Sequence, residues 1–266
     1  MKKQAIGVFD SGIGGLTILR ALRKELPHEN LIYFGDSANV PYGNKSKQAV
    51  VRLALRIAKF LESRRVKLIV VACNTVSAQA LPVLRKHIKT PIMGVIEPGA
   101  ASAVNATQNH RIAVLGTQGT VQSKAYVKSI KKLNKHVTVF QQACPLFVPL
   151  AEEGFAAKPA AALIAREYLA PIKQHKADTV ILGCTHYPIL KNLIGSILGP
   201  RVTLVDSADT LTQAAKLFLQ THAMAAAKGT GTLTLYASDD PAKFTKSARQ
   251  LLGANTPKAI LKKLNS

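Results

Sequence analysis

Tryptophan is absent from the 266-residue chain and aromatic residues make up only 5% of it, which leaves little material for the stacking surface that single-stranded nucleic acid requires. Charged residues are sparse at 19%, while 47% are hydrophobic and apolar runs recur from end to end. A chain of this balance folds rather than staying disordered, and its length suffices for one large core or two modest ones. No apolar run approaches the roughly 20 residues of a membrane-spanning helix, so no membrane association is expected. Met1-Lys2-Lys3-Gln4 leads into a short apolar run and an aspartate. A secretory signal needs a longer apolar region, and a cytoplasmic setting is therefore expected. Cysteine is scarce and odd in number. Cys73, Cys144 and Cys184 lie far apart, a poor disulfide framework that suits a reducing compartment. No Cys-x-x-Cys or His-x-x-x-His spacing lies near them, so no metal site is expected.

Acidic residues are also few. The 36 Lys and Arg against 14 Asp and Glu give a formal net charge of +22, enough to raise the question of nucleic acid. Yet the cations run along nearly every expected helix, as in Arg20, Arg23 and Lys24 or Lys128, Lys131, Lys132 and Lys135, with no basic tail. That distribution describes a solvated basic surface, and nucleic acid is not expected as a partner. A polyanion-binding protein is the alternative from another functional class.

What is present is an alternation of short apolar runs with amphipathic stretches. Residues 5–9, 31–34, 68–72 and 92–96 read as strands, and 112–115, 137–140, 179–182 and 202–205 repeat that character in the second half. Near-continuous apolar runs of this length suit parallel strands covered on both faces. Between them, 16–26, 47–65, 123–133 and 160–173 carry helical periodicity. The pattern predicts an α/β fold.

The halves echo each other: KLIVVACNT at 67–75 and ADTVILGCT at 177–185 each run from an apolar strand into cysteine and then a helix. The expected architecture is two similar doubly wound α/β domains with mainly parallel sheets facing each other across a central cleft. The first spans residues 1–97 and 207–266, its tail (a helix at 208–222, a strand at 233–237 and a helix at 241–252) returning to complete it. The second spans 98–206, with the crossover near Glu97-Pro98. The segment 224–232, MAAAKGTGT, reads as a flexible connection.

In open α/β sheets, ligands gather beyond the carboxyl ends of the strands. Asp10-Ser11, Cys73-Asn74-Thr75, Gly116-Thr117 and Cys184-Thr185-His186 all fall at such ends. Two domains facing each other would set the thiols of Cys73 and Cys184 on opposite sides of a small ligand. A thiol, with a reference pKa of about 8.5, can both give and take a proton near neutrality. Backbone N–H groups of the following helix are expected to lower that pKa. Cys144, in Ala-Cys-Pro, lacks such a context and reads as structural. The cluster Asp10-Ser11-Gly12-Ile13-Gly14-Gly15 suggests a dinucleotide loop, with Asp36 as a ribose ligand. However, Thr17 stands where the third glycine belongs, and Asp10 would repel a pyrophosphate.

The runs GVFDSGIGGLTILRALRKELP, FGDSANVPYG, VACNTVSA, GVIEPGA, GTQGTVQSKAY, CPLFVPLAEEG, ILGCTHYPIL, VTLVDSA and LYASDDPAKF resemble the successive motifs of the glutamate racemase family over almost the whole chain. The resemblance implies interconversion of L- and D-glutamate without pyridoxal phosphate, flavin or metal, and a supply of D-glutamate for bacterial peptidoglycan. It implies that Cys73 and Cys184 are the acid/base pair, Cys184 deprotonating L-glutamate and Cys73 the D enantiomer, with Asp10, His186 and Glu152 assisting. Implied substrate contacts are Asp10, Ser11, Tyr42, Gly43, Asn74, Thr75, Thr117, Thr185 and His186, and a homodimer is implied as the assembly. Simpler readings stand beside these: His186 capping a helix at Tyr187, Glu152 or Glu153 as a loop charge, Tyr42-Gly43 as a turn after Pro41. The chain lacks the long N-terminal extension of members regulated by a cell-wall precursor, so such activation is not expected, and its charge is not a family feature. A related activity on aspartate is the alternative enzyme, against which His186 after Cys184-Thr185 speaks.

Overall fold

The structure, a computed structural model, describes residues 2–264. Its first part runs β1 (Ile6–Asp10), α1 (Leu16–Glu25), β2 (Leu31–Gly35), α2 (Lys47–Ser63), β3 (Leu68–Val71), α3 (Asn74–Gln79), α4 (Leu81–His87) and β4 (Ile92–Gly94). Helix α5 (Ile96–Ala106) crosses to β5 (Arg111–Gly116), α6 (Gln118–Ser123), α7 (Ala125–Leu133), β6 (Thr138–Ala143), α8 (Phe147–Glu152), α9 (Pro159–Gln174) and β7 (Thr179–Gly183). A 3-10 turn (Tyr187–Leu190), α10 (Lys191–Leu198) and β8 (Thr203–Asp206) follow, and then α11 (Ser207–Thr221), β9 (Leu233–Ala237), α12 (Pro241–Leu252) and β10 (Ile260–Leu261). The helices carry their own boundary signals. Ser46 and Asp240 cap α2 and α12 through bonds from Ala49 N (3.3 Å) and Lys243 N (2.9 Å), each cap contributing about 1 kcal/mol.

Two all-parallel sheets result, ordered β10-β9-β2-β1-β3-β4 and β6-β5-β7-β8. The tail strand β9 pairs with β2, so the chain returns to the first sheet. In each sheet the chain reverses direction beside its first strand, between β1 and β3 and between β5 and β7. These reversals open crevices at the carboxyl ends. The two sheets thus offer four adjacent strand ends: Asp10, the residues just after Val71, Gly116 and Gly183.

Alternation of side chains fixes which core each residue joins. Ile6 and Val8, Leu68 and Val70, Ile112 and Val114, and Ile181 enter one continuous core with Leu16, Leu19 and Leu22 of α1 and with α5, α7 and α11. The residues of opposite parity, such as Phe9, Ile69 and Val71, pack under α2 to α4, while Ala113, Leu115, Val180 and Leu182 pack under α9 and α10. The central core is shared by both sheets. Each fully buried Leu, Ile or Val in it contributes about 1.5–3 kcal/mol.

Several local expectations are corrected. The strand expected at 92–96 stops at Gly94, and Ile96 already belongs to α5, which accepts Pro98 because first-turn N–H groups need no helical partner. The helix expected from 123 begins at Ala125, since Lys124 is left-handed (φ 55°) and separates α6 from α7. The segment expected to be flexible is pinned: Lys67 Nζ donates to Met224 O (2.8 Å), Ala226 N to Glu29 Oε1 (2.7 Å) and Gly231 N to Pro27 O (2.9 Å). Lys67 and Glu29 are themselves a buried ion pair. Among the described residues, no helix is long and apolar enough to cross a membrane.

Candidate active site

A cleft of about 400 Å³ lies between the strand ends of the two sheets. It is lined by Ser11, Tyr42, Gly43, Cys73, Asn74, Thr75, Thr117, Glu152, Cys184, Thr185 and His186, with an apolar wall from Val40, Pro41, Pro145, Leu146, Val148 and Pro149. Every expected site residue but Asp10 is on that wall. Asp10 is fully buried beneath it, with Oδ2 accepting from Gly12 N at 3.1 Å and Oδ1 unpaired.

Glycines permit the close approach of the halves. A Cβ at Gly14 would stand 2.4 Å from Thr185 Oγ1 and 2.6 Å from His186 Cε1, and one at Gly43 would stand 2.8 Å from Thr117 Cβ. Across the same gap, Thr75 and Thr117 share a hydroxyl bond of 2.9 Å, extended to Thr120 at 3.0 Å.

The thiols occupy matching positions with different partners. Cys73 caps the N-terminus of α3 in extended conformation, and its Sγ lies 3.7 Å from Ser11 Oγ. The helix N–H groups do not lower its pKa as expected. Burial, reinforced by the charge of Asp10, outweighs the bond from Val76 N–H and the bond shared with the Ser11 hydroxyl, and pushes the thiol up to about 12. Cys184 is followed by the 3-10 turn, and its Sγ lies 3.8 Å from His186 Nδ1. His186 makes no side-chain cap at that turn. Its Nε2 instead faces Glu152 Oε1 at 2.9 Å, an ion-pair approach out of line with the N–H. Burial opposes the imidazolium, but the bond to Cys184, the close approach of Glu152 and the charges of Cys184 and Asp10 prevail, raising its pKa to about 10. Burial also raises the Asp10 carboxyl, although His186 and the N–H groups of Gly12, Gly15 and Ser11 pull the other way.

The remaining alternatives resolve by position. Both glutamates reach the surface, and of the two only Glu152 also lines the cleft. Tyr42 is buried, and its hydroxyl donates to Asp36, which also accepts from Ser238 Oγ (2.6 Å) and Asn39 Nδ2 (3.1 Å). Asp36 therefore braces Tyr42 and is no ribose ligand. Cys144 is buried off the cleft, its Sγ 3.6 Å from Gln142 O. Thr120, Ser238, Tyr126 and the Pro145–Pro149 wall have no role legible in the sequence: all sit inside the family-like runs, and only their packing reveals it. Among the described residues, no group of three or more His, Cys, Asp or Glu is placed to hold a metal ion. A larger basic cavity of about 610 Å³, lined by Lys45, Lys47, Arg85, Lys128 and Lys132, contains no thiol.

The sequence and fold are similar to those of known proteins. Residues 16–215 match the family described as Asp/Glu/Hydantoin racemase. The glutamate racemase of Geobacter metallireducens is 48% identical over 254 residues, covering 95% of this chain and 94% of its own. The crystal structure of a Bacillus anthracis glutamate racemase isoform superposes with a TM-score of 0.96 at 33% identity, covering 99% of both chains. That of the Francisella tularensis glutamate racemase in complex with D-glutamate gives 0.94 at 36% identity, covering 100% of this chain and 99% of the other.

Proposed function

The chain belongs to the Asp/Glu/Hydantoin racemase family, and from that premise we propose that its cleft interconverts L- and D-glutamate by two-base proton transfer between Cys73 and Cys184. The relatives that match over nearly their full length are glutamate racemases, which supports glutamate over aspartate. The observation that carries the mechanism is the pair of thiols lining one cleft from corresponding strand ends of two sheets, each with its own acid/base partner.

Inversion needs a proton to leave one face of the α-carbon and another to arrive on the opposite face. With L-glutamate, Cys184 thiolate takes the α-proton, the C–H bond breaking as S–H forms, and leaves a carbanion delocalised into the carboxylate. Cys73 then gives its own proton to the other face and becomes the thiolate. The surroundings supply the donor for this direction: Cys73, pushed up to about 12, holds its proton at neutral pH, and His186 Nδ1 lies 3.8 Å from Cys184 Sγ. With D-glutamate the roles exchange, and Asp10 steadies the charge distribution from below. Ser11, Tyr42, Gly43, Asn74, Thr75, Thr117, Thr185 and His186 make up the substrate-facing wall. In this reading Asp10 acts without touching substrate, unlike the contact implied by resemblance.

The enzyme works in the cytoplasm, where its free thiols stay reduced, and supplies D-glutamate for peptidoglycan. Residues 1–97 with 207–266 form one domain and 98–206 the other, a reading supported by the partition of the strands. Assembly as a homodimer is part of the same reading and rests on the family resemblance. One chirality assay with L-glutamate and L-aspartate, on dialysed protein without added cofactor, tests the activity. Turnover of glutamate is expected, and turnover of aspartate alone would reject the reading.

A further inference from the structure

The amide of Asn74 is only half satisfied. Asn74 opens α3 immediately after Cys73, is 2% exposed and lies on the cleft wall. Its Oδ1 accepts from the Tyr126 hydroxyl at 2.8 Å, while its Nδ2 is buried with no partner. Such a donor costs free energy until a ligand accepts from it. Tyr126 comes from α7, on the side of the second sheet, and is fully buried. Small residues wall its ring: a Cβ on Gly99 would lie 3.3 Å from the ring and hydroxyl, and one on Gly183 would lie 3.3 Å from Cε2.

Resting on the two-thiol reading above, we propose that Tyr126 is a positioning residue, turning the Asn74 amide so that its NH₂ faces an anionic group of the bound substrate. The chemistry is directional. Burial, only partly opposed by Ser207 and reinforced by Cys184, keeps the phenol protonated and able to donate. In the structure it donates to the Asn74 oxygen, which can accept where the amide nitrogen cannot. The NH₂ group is left for the cleft, where glutamate brings two carboxylates. The bond also crosses from one half of the molecule to the other, so the donor is aimed only when the halves are together.

The test is a double-mutant cycle on glutamate racemisation with wild type, Tyr126→Phe, Asn74→Ala and the double variant. Tyr126→Phe is expected to raise KM about tenfold with a smaller change in kcat, as loss of binding common to ground and transition states does. In the Asn74→Ala background the same change should add nothing. Tyr126→Phe behaving as wild type, or losses that multiply, would overturn the assignment. If Tyr126→Phe does not fold, Asn74→Asp decides. One oxygen keeps the Tyr126 bond and the other turns a negative charge on the substrate, so activity should fall at least tenfold below Asn74→Ala. Equal activities of those two would overturn it. Wild type inactive on glutamate would reject the two-thiol reading instead, so the failures are separable.

Discussion

The two strand ends bearing Cys73 and Cys184 share one topology and differ in their charge partners. Both thiols follow a buried parallel strand beside a chain reversal, and both have the parity that points away from the shared core. Beneath Cys73 lies a carboxylate, Asp10, and beside Cys184 lies a cation, His186, braced by Glu152. The fold repeats a place for a thiol twice, and the surroundings make one end a proton donor at rest and the other a partner for an imidazolium. A symmetric scaffold thus carries an asymmetric resting state, suited to a reaction that passes a proton in either direction.

The largest test of this comparison removes one end at a time. Cys73→Ala and Cys184→Ala should each lower racemisation at least about a hundredfold in the chirality assay, since a positioned acid or base contributes roughly 10²–10⁴-fold and neither thiol can replace the other. Cys144→Ala should stay within about twofold, being off the cleft. Equal loss from all three, with folding intact, would end the case for a specific pair. In deuterated water, early product should carry solvent deuterium while unreacted substrate stays unlabelled. Label appearing first in the starting enantiomer would instead point to a single base.

Removing the cation rather than the thiol sharpens the asymmetry. His186→Asn is expected to cost about a hundredfold in kcat/KM. The enantiomers have equal free energy in water, so kcat/KM must fall equally in both directions. The asymmetry should appear in the substrate deuterium isotope effect, which should rise more for L- than for D-glutamate. An identical rise for both would show that His186 serves the two thiols alike.

A smaller effect probes the join between the ends. Gly14→Ala places a Cβ against Thr185 and His186 and should lower activity about tenfold, because small displacements of reacting groups are costly. Gly154→Ala, with φ 71° and open space around it, should leave activity unchanged and cost about 1 kcal/mol of stability in urea unfolding. The reverse pattern would place the sensitive glycine outside the active site.

The smallest effect is on stability against pH. His186 is raised from 6.5 to about 10 and Cys73 from 9.0 to about 12, so the folded protein holds both protons more tightly than the unfolded chain. The contribution from His186 is fully present below pH 6.5 and is lost as pH rises through 10; that from Cys73 is present below 9 and lost toward 12. Urea midpoints should fall between pH 6.5 and 10, and His186→Asn should flatten that fall. An unchanged slope would show that the histidine gains no partner on folding.

Much of this was legible in the sequence because buried parallel strands announce themselves as short apolar runs, and the cysteines stand at their ends. The strand ending at Ala237 and the helix from Pro241 to Leu252 were equally plain. Strand β10 was not, since Ile260 and Leu261 are exposed and form an edge of only two residues. Glu152 and Glu153 are indistinguishable by type, and only the turn ending α8 sends the first toward His186. The segment 224–232 reads as flexible by composition, yet the buried Lys67–Glu29 pair and the bonds around it hold it to the sheet.

The sequence by itself determined the α/β alternation, the two thiol-bearing strand ends and the likeness to glutamate racemases, because each is written in local periodicity and residue order. Tertiary structure alone decided the raised pKa of the Cys73 thiol, the burial of Asp10 below the cleft and the crossing bond from Tyr126 to Asn74. Desolvation and charge act through space between residues far apart in the chain. Local helix geometry argued for a lowered Cys73 pKa, and the surrounding protein reversed it.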